Sequence, residues 1–270
     1  MATTAFIGGG NMASALVGGL LASGQAPAAI RIVEPDAGQR RALRDKFGVE
    51  PQAAADASLA DADVVVWAVK PQLFRDAAAP CAPHIGRALQ LSVMAGVRSD
   101  AIAAAAGSER VVRAMPNTPS LIGQGIAGLY ARSAVADADR RTVEGLLRPT
   151  GAVVWFEREE ALDAVTALSA SGPAYVFYLL EAMTEAGVRM GLSADDSRRL
   201  AVQTVAGAAA LAAASAEPIE TLRRNVTSRG GTTHAAISEL EDRGVGAAFV
   251  TAIEAARRRA RELGDEFGRP

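Results

Sequence analysis

The sequence has little of what disulfide scaffolds, metal centres and basic binding surfaces require. Its 270 residues include one cysteine, Cys81, which excludes an internal disulfide and a cysteine-rich metal site. The two histidines, His84 and His234, lie far apart and lack the spacing of metal ligands, so we expect no metal. The 28 basic and 30 acidic side chains nearly cancel, which argues against nucleic acid as a partner. Aromatic residues make up only 4%, so the core must consist mainly of small aliphatic side chains.

Long apolar runs are also missing. Residues 5–22 are interrupted by glycines and follow no basic segment, unlike a secretion signal. Residues 201–216 are uncharged but mostly alanine, and they are too few to span a membrane. We therefore expect a cytoplasmic protein without a membrane segment, in which residues 201–216 form a buried or subunit-facing helix.

The first 157 residues alternate short β-branched runs with helical patterns. Continuous apolar strands separated by helices are typical of a parallel sheet covered on both faces. Right-handed crossovers then predict an α/β fold with a Rossmann-like, doubly wound sheet. The predicted strands lie at residues 5–7, 30–33, 64–69, 89–93, 111–114, 125–129 and 153–156.

From Glu157 onward the pattern is helical to the end of the chain. This change predicts a dinucleotide-binding domain at residues 1–157 and an all-helical domain at residues 158–270. A helical domain so rich in alanine can hardly bury its faces alone, so we expect it to mediate dimerisation.

The pattern G-x-G-x-x-A follows the first predicted strand and opens the first helix, as Gly8, Gly10 and Ala13. Gly8 permits the tight turn, Gly10 lets the backbone approach a pyrophosphate, and Ala13 lets the helix lie close to the strand. Free N–H groups at the helix start would then hold the phosphates. The candidate cofactor-binding residues here are Ile7, Gly8, Gly9, Gly10, Asn11 and Met12.

Glu34 follows the second predicted strand. A carboxylate at this place accepts a hydrogen bond from a ribose 2′-hydroxyl and repels a 2′-phosphate. Arg40 and Arg41 follow within two helical turns and would reverse the preference if they folded back, although exposed helix arginines are an equally good interpretation. The cofactor is therefore NADPH or NADH, with a slight preference for NADH from Glu34.

Two further strands end in candidate cofactor contacts, since ligands of such sheets bind outside the carboxyl ends of the strands. The alternatives are a solvated lysine at the first of these ends and a plain turn at the second. The chain has only one other lysine besides Lys70, so a lysine at this strand end favours a cofactor contact. The candidates are Ala68, Val69, Lys70 and Pro71, and then Met115, Pro116, Asn117 and Thr118, where prolines hold a rigid loop.

Two loops of the helical part are unusually rich in glycine and hydroxyl groups, at residues 169–175 and 227–233. Each precedes a predicted helix, so each offers backbone N–H groups and hydroxyls that suit a small carboxylate. Helix capping needs only one such hydroxyl per helix, so a binding site explains these loops better than caps alone.

Five motifs, at residues 6–12, 68–71, 113–119, 171–175 and 230–233, occur in an order and spacing that are highly specific together. On these motifs the chain resembles the pyrroline-5-carboxylate reductases, the enzymes of the last step of proline synthesis, over nearly its whole length. The resemblance implies reduction of the C=N bond of 1-pyrroline-5-carboxylate, an N-terminal dinucleotide domain and a C-terminal helical dimerisation domain. It also implies homodimers, which in many relatives assemble further to a decamer.

The resemblance assigns the substrate carboxylate to Ser228, Gly230, Gly231, Thr232 and Thr233, and it matches Thr166 and Ser171 to the family's first loop. Thr233, or a water molecule, is the preferred partner of the proton, with His234 as an alternative and with Ser171 and Thr166 as further catalytic candidates. Arg229 stands where many relatives have proline. Glu217 is a candidate for the acidic side chain that some relatives place near the substrate nitrogen.

Two other functions share these features. A related hydroxyacid dehydrogenase or imine reductase would have the same architecture, but such enzymes commonly use a lysine or acid just after the cofactor domain, and residues 156–191 contain no lysine. A nucleotide-sensing regulator would not need the loop at residues 230–233. We therefore expect the reductase.

Overall fold

One seven-stranded sheet organises the first part of the chain in the computed structural model, which describes residues 3–267. The strands lie side by side in the order β2-β1-β3-β4-β5-β6-β7. They are β1 (Thr4–Ile7), β2 (Ile30–Val33), β3 (Val64–Trp67), β4 (Leu89–Ser92), β5 (Val111–Met115), β6 (Gly125–Ala131) and β7 (Gly151–Phe156). Each overlaps a predicted strand, and the predicted doubly wound α/β sheet is confirmed.

The sheet is not parallel throughout, which corrects the expectation from the apolar strand pattern. Strands β1 to β5 run parallel, but β6 runs antiparallel to β5, and β7 runs parallel to β6. The physical reason is the connection, because residues 116–124 are too few for a parallel crossover, which takes a dozen or more residues.

Helices cover both faces of this sheet. They are α1 (Asn11–Ala22), α2 (Ala37–Phe47), α3 (Phe74–Ile85), α4 (Ser99–Ala106) and α5 (Asp137–Leu147). Side chains alternate along β1, so Phe6 packs in a core with α1, α2 and α5, whereas Ile7 packs in the core that contains α3 and α4. Each large apolar side chain buried in this way stabilises the fold by about 1.5–3 kcal/mol.

The chain divides into two compact units, residues 3–171 with 256–267, and Gly172–Ala255. The first unit contains the sheet and also α6 (Ala161–Val165), which continues into a π-helical turn at Thr166–Ala170. The second consists of helices and the loops that connect them. They are α7 (Gly172–Arg189), α8 (Ala194–Ala214), α9 (Ile219–Asn225), α10 (Thr232–Asp242) and α11 (Val245–Phe267), the last of which extends into the first unit.

The helical unit buries few of its own residues. Within Gly172–Ala255 only Gly187, Ser197 and Ala201 are buried, and a Cβ at Gly187 would lie 2.5 Å from the Ser197 hydroxyl oxygen, so α7 and α8 are in close contact. Large apolar side chains of both helices are exposed, including Phe177, Tyr178, Leu179, Leu200 and Leu211. An apolar surface of this kind marks a site of protein association.

No helix within residues 3–267 combines the length and the apolar character that crossing a membrane requires. The predicted helix at residues 201–216 corresponds to most of α8, and nearly all of it is exposed in the single chain.

Candidate active site

Three candidate segments meet at one edge of the sheet, because β1 lies between β2 and β3 and all three strands run parallel. Ile7 is level with both Val33 and Trp67, so the glycine loop, Glu34 and Ala68 all follow at the same carboxyl edge. The connections of the sheet reverse direction beside β1, and the crevice at such a point is where doubly wound sheets bind nucleotides.

The glycine loop is packed on one side and open on the other. Gly8 adopts φ +95°, and a Cβ there would lie 2.7 Å from the Ala68 carbonyl oxygen, so only glycine fits. A Cβ at Gly10, by contrast, would meet nothing within 4 Å. Gly10 is exposed at the start of α1, whose first N–H groups receive no side-chain cap. This loop therefore fits a pyrophosphate, held by the N–H groups that open α1.

Glu34 contacts the glycine loop directly. Its Oε2 accepts a hydrogen bond from the Gly9 N–H (2.8 Å), and its Oε1 accepts one from the Asp36 N–H (2.9 Å). The Gln39 side chain donates to the Gly9 carbonyl oxygen from the other side of the loop. The carboxylate that the sequence assigned to the ribose therefore stands in a fixed orientation.

Arg40 folds back, but onto the main chain. Its Nη1 donates to the carbonyl oxygens of Glu34 (2.8 Å) and Pro35 (2.7 Å), whereas Arg41 is exposed. Lys70 is also exposed, at the start of the turn after β3, and within residues 3–267 its ammonium group has no ion-pair partner. Its neighbours Ala68, Val69 and Pro71 lie at the same edge, with the Ala68 N–H bonded to the Ile7 carbonyl oxygen.

The loop after β5 brings Met115 and Pro116 to this edge and ties Asn117 to two other elements. The Asn117 amide oxygen accepts from the Ile126 N–H (3.0 Å), and its amide nitrogen donates to the Ser169 carbonyl oxygen (3.2 Å) in the π-helical turn. Thr118 is exposed. Asn117 therefore joins the loop of residues 115–118 to the segment that contains Thr166 and Ser171.

The two hydroxyls of that segment differ in their availability. The Thr166 hydroxyl donates to the Leu162 carbonyl oxygen (2.7 Å), so its proton is already engaged. The Ser171 side chain is half-buried and makes no hydrogen bond within residues 3–267. Ser171 is bound through its N–H, which donates to the Thr166 carbonyl oxygen in the i to i+5 pattern of a π-helix (2.9 Å).

Sequence reasoning missed a buried ion pair that involves β5, the strand before the loop of residues 115–118. Arg113 of β5 is 3% exposed, and its Nη1 donates to Glu159 Oε1 (2.7 Å). Glu159 also accepts from the N–H (2.7 Å) and the hydroxyl (2.6 Å) of Ser99. Burial by itself would raise the pKa of Glu159, but the Ser99 hydrogen bonds and the Arg113 charge outweigh it and hold this pKa below its ordinary value. An arginine within an otherwise apolar strand was the available signal.

A second ion pair, between Arg98 and Asp163, holds the segment that follows Glu159. Arg98 binds Asp163 with two hydrogen bonds, Nη1 to Oδ1 (3.0 Å) and Nη2 to Oδ2 (2.8 Å). Gly264 of α11 lies against this guanidinium, because a Cβ there would be 2.5 Å from Arg98 Nη2. The two pairs together attach residues 159–163 to β5 and to the start of α4, and they fix where the π-helical turn begins.

The predicted substrate loop forms a tight turn in the second unit. The Gly231 N–H donates to the Ser228 carbonyl oxygen (3.0 Å), and Gly230 adopts φ +75°, which glycine tolerates. α10 begins at Thr232 without a side-chain cap. The hydroxyls of Ser228 and Thr233 form no hydrogen bond within residues 3–267, so the turn presents them next to free N–H groups. This combination suits a carboxylate.

The remaining candidates lie around this turn. Arg229 and His234 are both exposed. The Glu217 carboxylate accepts a hydrogen bond from the Asn225 side chain (3.2 Å), so this acid is directed towards α9.

The residues that the structure describes, 3–267, offer neither a cluster of metal ligands nor a reactive thiol. Within residues 3–267 no group of three or more histidine, cysteine or acidic side chains could hold an ion. Burial raises the pKa of the Cys81 thiol to about 11, which keeps the thiol protonated and a poor nucleophile at neutral pH.

A glycine loop at the nucleotide edge of a doubly wound sheet and a helical unit with open apolar faces define a class, the NAD(P)-dependent oxidoreductases with a helical dimerisation domain. Family models match both parts. Residues 3–96 match "NADP oxidoreductase coenzyme F420-dependent", and residues 159–263 match "Pyrroline-5-carboxylate reductase dimerisation".

Whole-chain comparisons narrow the class to one family. The chain is 44% identical to the pyrroline-5-carboxylate reductase of Pseudomonas aeruginosa, over 98% of this chain and 97% of that protein. It is similar to the solved structure of a pyrroline-5-carboxylate reductase from Coxiella burnetii, with a TM-score of 0.90, 37% identity and coverage of 97% and 98%. A Plasmodium falciparum pyrroline carboxylate reductase, solved with NADP bound, matches with a TM-score of 0.87, 27% identity and coverage of 97% and 98%.

The chain belongs to the pyrroline-5-carboxylate reductase family. It is an NAD(P)-dependent oxidoreductase of proline biosynthesis and forms a homo-oligomer through its dimerisation domain. The predictions of fold, reaction class and nicotinamide cofactor are confirmed.

Proposed function

We propose that this chain reduces 1-pyrroline-5-carboxylate to L-proline. In this proposal the glycine loop before α1 binds the cofactor, and the glycine turn before α10 binds the substrate. The observation that carries this proposal is the pair of uncapped helix N-termini, one at α1 and one at α10, each preceded by an open glycine turn. Both present backbone N–H groups to an anion, the first to a pyrophosphate and the second to a small carboxylate.

On the cofactor side, Gly10, Asn11 and Met12 hold the pyrophosphate and Glu34 holds the adenosine ribose. Residues 68–71 and 115–118 line the nicotinamide end, where Asn117 orients its loop. When bound, the reduced nicotinamide supplies a hydride to the carbon of the substrate C=N bond. The chain itself contributes alignment of the two molecules, an effect that supplies roughly 7–11 kcal/mol in well-oriented reactions.

On the substrate side, the Ser228 hydroxyl and the N–H groups of Thr232 and Thr233 bind the carboxylate, with Gly230 and Gly231 allowing the close approach. The Thr233 hydroxyl holds the proton on the ring nitrogen, either directly or through water. The Ser171 hydroxyl donates a further hydrogen bond to the substrate. Thr166 acts only as an acceptor, since its own proton is engaged by Leu162.

The proposal also covers the domain boundary, the oligomeric assembly and the cellular location of the enzyme. The cofactor domain comprises residues 1–157, and the dimerisation and substrate domain comprises residues 158–270, which the family-model match from residue 159 supports. The assembly is a homodimer, and decamers form from it. The enzyme acts in the cytoplasm, where reduced nicotinamide cofactors are supplied.

The test follows absorbance at the nicotinamide band with 1-pyrroline-5-carboxylate and either NADH or NADPH, and identifies L-proline as the product. Thr233→Val is expected to lower kcat about 10²-fold with an unchanged melting temperature, as the loss of a proton partner does. Thr251→Val is the matched control, because the Thr251 hydroxyl only donates to Ala247 within α11. Unchanged turnover in Thr233→Val would remove Thr233 from the mechanism. Cofactor binding without imine-dependent oxidation would instead indicate a nucleotide-sensing regulator.

A further inference from the structure

We propose that this chain selects NADH over NADPH, and that Glu34 and Asp36 together make the selection. The inference rests on the proposed function for the place of the ribose, and it concerns the one part of the cofactor in which NADH and NADPH differ, the 2′-phosphate. Both carboxylates follow β2, at the edge of the sheet that carries the glycine loop.

The Glu34 carboxylate is held in place before any ligand arrives. One oxygen accepts from the Gly9 N–H and the other from the Asp36 N–H. A carboxylate offers about four lone-pair sites, so each oxygen keeps capacity for a further donor such as a ribose 2′-hydroxyl. Because the glycine loop itself holds Glu34, the carboxylate cannot turn away from a 2′-phosphate without breaking the hydrogen bond to Gly9.

Asp36 fills the other anion-binding position at this edge. The N-terminus of α2 would otherwise attract a phosphate, as helix N-termini do. Asp36 instead caps it, and its Oδ1 accepts from the Gln39 N–H at 2.7 Å. The positive end of α2 is thus already neutralised by a carboxylate of the chain.

The nearby arginines do not compensate for these charges. Arg40 uses both hydrogens of its Nη1 on the carbonyl oxygens of Glu34 and Pro35, which holds the guanidinium against the backbone. Arg44 pairs with Glu50 at the far end of α2. Arg41 is exposed. A 2′-phosphate would therefore meet two fixed carboxylates and one guanidinium that is already engaged.

The experiment measures the dissociation constants of NADH and NADPH by nicotinamide fluorescence, and kcat/KM with 1-pyrroline-5-carboxylate for each cofactor. We expect NADH to be favoured about tenfold or more in both quantities, the size that like charges a few ångströms apart produce at a protein surface. Glu34→Gln keeps the size of the side chain and one acceptor but removes the charge, so the ratio should fall towards one. Asp36→Ser keeps the cap and should shift the ratio in the same direction.

Glu50→Gln is the matched control, since it removes one acidic charge next to α2 but away from the loop, and its ratio should equal that of the unchanged protein. Tighter binding of NADPH than of NADH by the unchanged protein would overturn the proposal, as would an unaltered ratio in both Glu34→Gln and Asp36→Ser. The proposed function is judged separately. Imine-dependent oxidation that favours NADPH sustains the function and refutes the selection, whereas binding with the predicted ratio but without turnover sustains the selection and refutes the function.

Discussion

Replacing Glu159 by glutamine tests how much the buried ion pair with Arg113 stabilises the folded chain. The Arg113 side chain is 4% exposed and that of Glu159 is 16% exposed, so little water is available to replace the lost partner. Removing one partner of a buried pair leaves an uncompensated charge, which costs about 3–5 kcal/mol. At roughly 2–3 °C for each kcal/mol in a chain of this size, the melting temperature should fall by about 6–15 °C.

Scanning calorimetry of Glu159→Gln, Arg113→Met and the double variant measures this cost. The double variant should lose less stability than the sum of the single variants, because each group is harmful mainly when its partner is missing. Glu109→Gln is the control, since it breaks an exposed pair with Arg132 and should cost less than about 1 kcal/mol. The argument would be refuted if the melting temperature of Glu159→Gln lay within 1–2 °C of that of the unchanged protein, which is roughly the scatter between neutral surface variants.

The same pair makes stability depend on pH with a definite sign. The pKa of Glu159 is lower in the folded chain than its ordinary value, so the folded state favours the ionised carboxylate. Its contribution is complete above the unfolded pKa of about 4.3 and is lost as the pH falls through the lower pKa of the folded state. The difference in unfolding free energy between the unchanged protein and Glu159→Gln should therefore narrow on acidification below about pH 4.3.

Two further predictions concern the cofactor edge. Gly8→Ala should lower the melting temperature and abolish cofactor binding, because the added Cβ would overlap the Ala68 carbonyl. Gly10→Ala should keep the melting temperature and weaken the binding of either cofactor, because the added Cβ enters only the space left for the pyrophosphate. Equal melting temperatures for the two variants would contradict this geometry. Asn117→Ala should lower kcat about 10–100-fold with little change in cofactor affinity, because it releases the loop of residues 115–118 from Ser169 and Ile126. Gln124→Ala, an exposed change in the same connection, should leave kcat unaltered, and a loss confined to cofactor affinity in Asn117→Ala would identify Asn117 as a direct contact instead.

The cofactor edge was predictable because its chemistry is local in sequence. A strand, a glycine loop and a helix follow one another within residues 4–22, and each glycine has a geometric reason that can be stated without knowing the rest of the fold. Glu34 was predictable for the same reason, since it directly follows the second strand. Its hydrogen bond to the Gly9 N–H was not, because Gly9 lies 25 residues away along the chain.

Strand composition alone did not predict two other features. The direction of β6 follows from the short connection after β5, not from its apolar residues, which resemble those of the parallel strands. Arg113 and Glu159 are 46 residues apart, so an arginine in an apolar strand signals a buried charge but does not identify its partner. The sequence therefore predicts elements and loops well, and it predicts the polar contacts that orient those loops poorly.

The exposed helical unit has a consequence for how the protein responds to dilution. Because α7 and α8 bury so little within one chain, we expect the association of subunits to contribute much of the stability of this unit. For two associating chains, each tenfold dilution removes about 1.4 kcal/mol from the stability of the assembly. A substitution at an exposed apolar position of α8 can thus raise the protein concentration below which the assembly dissociates.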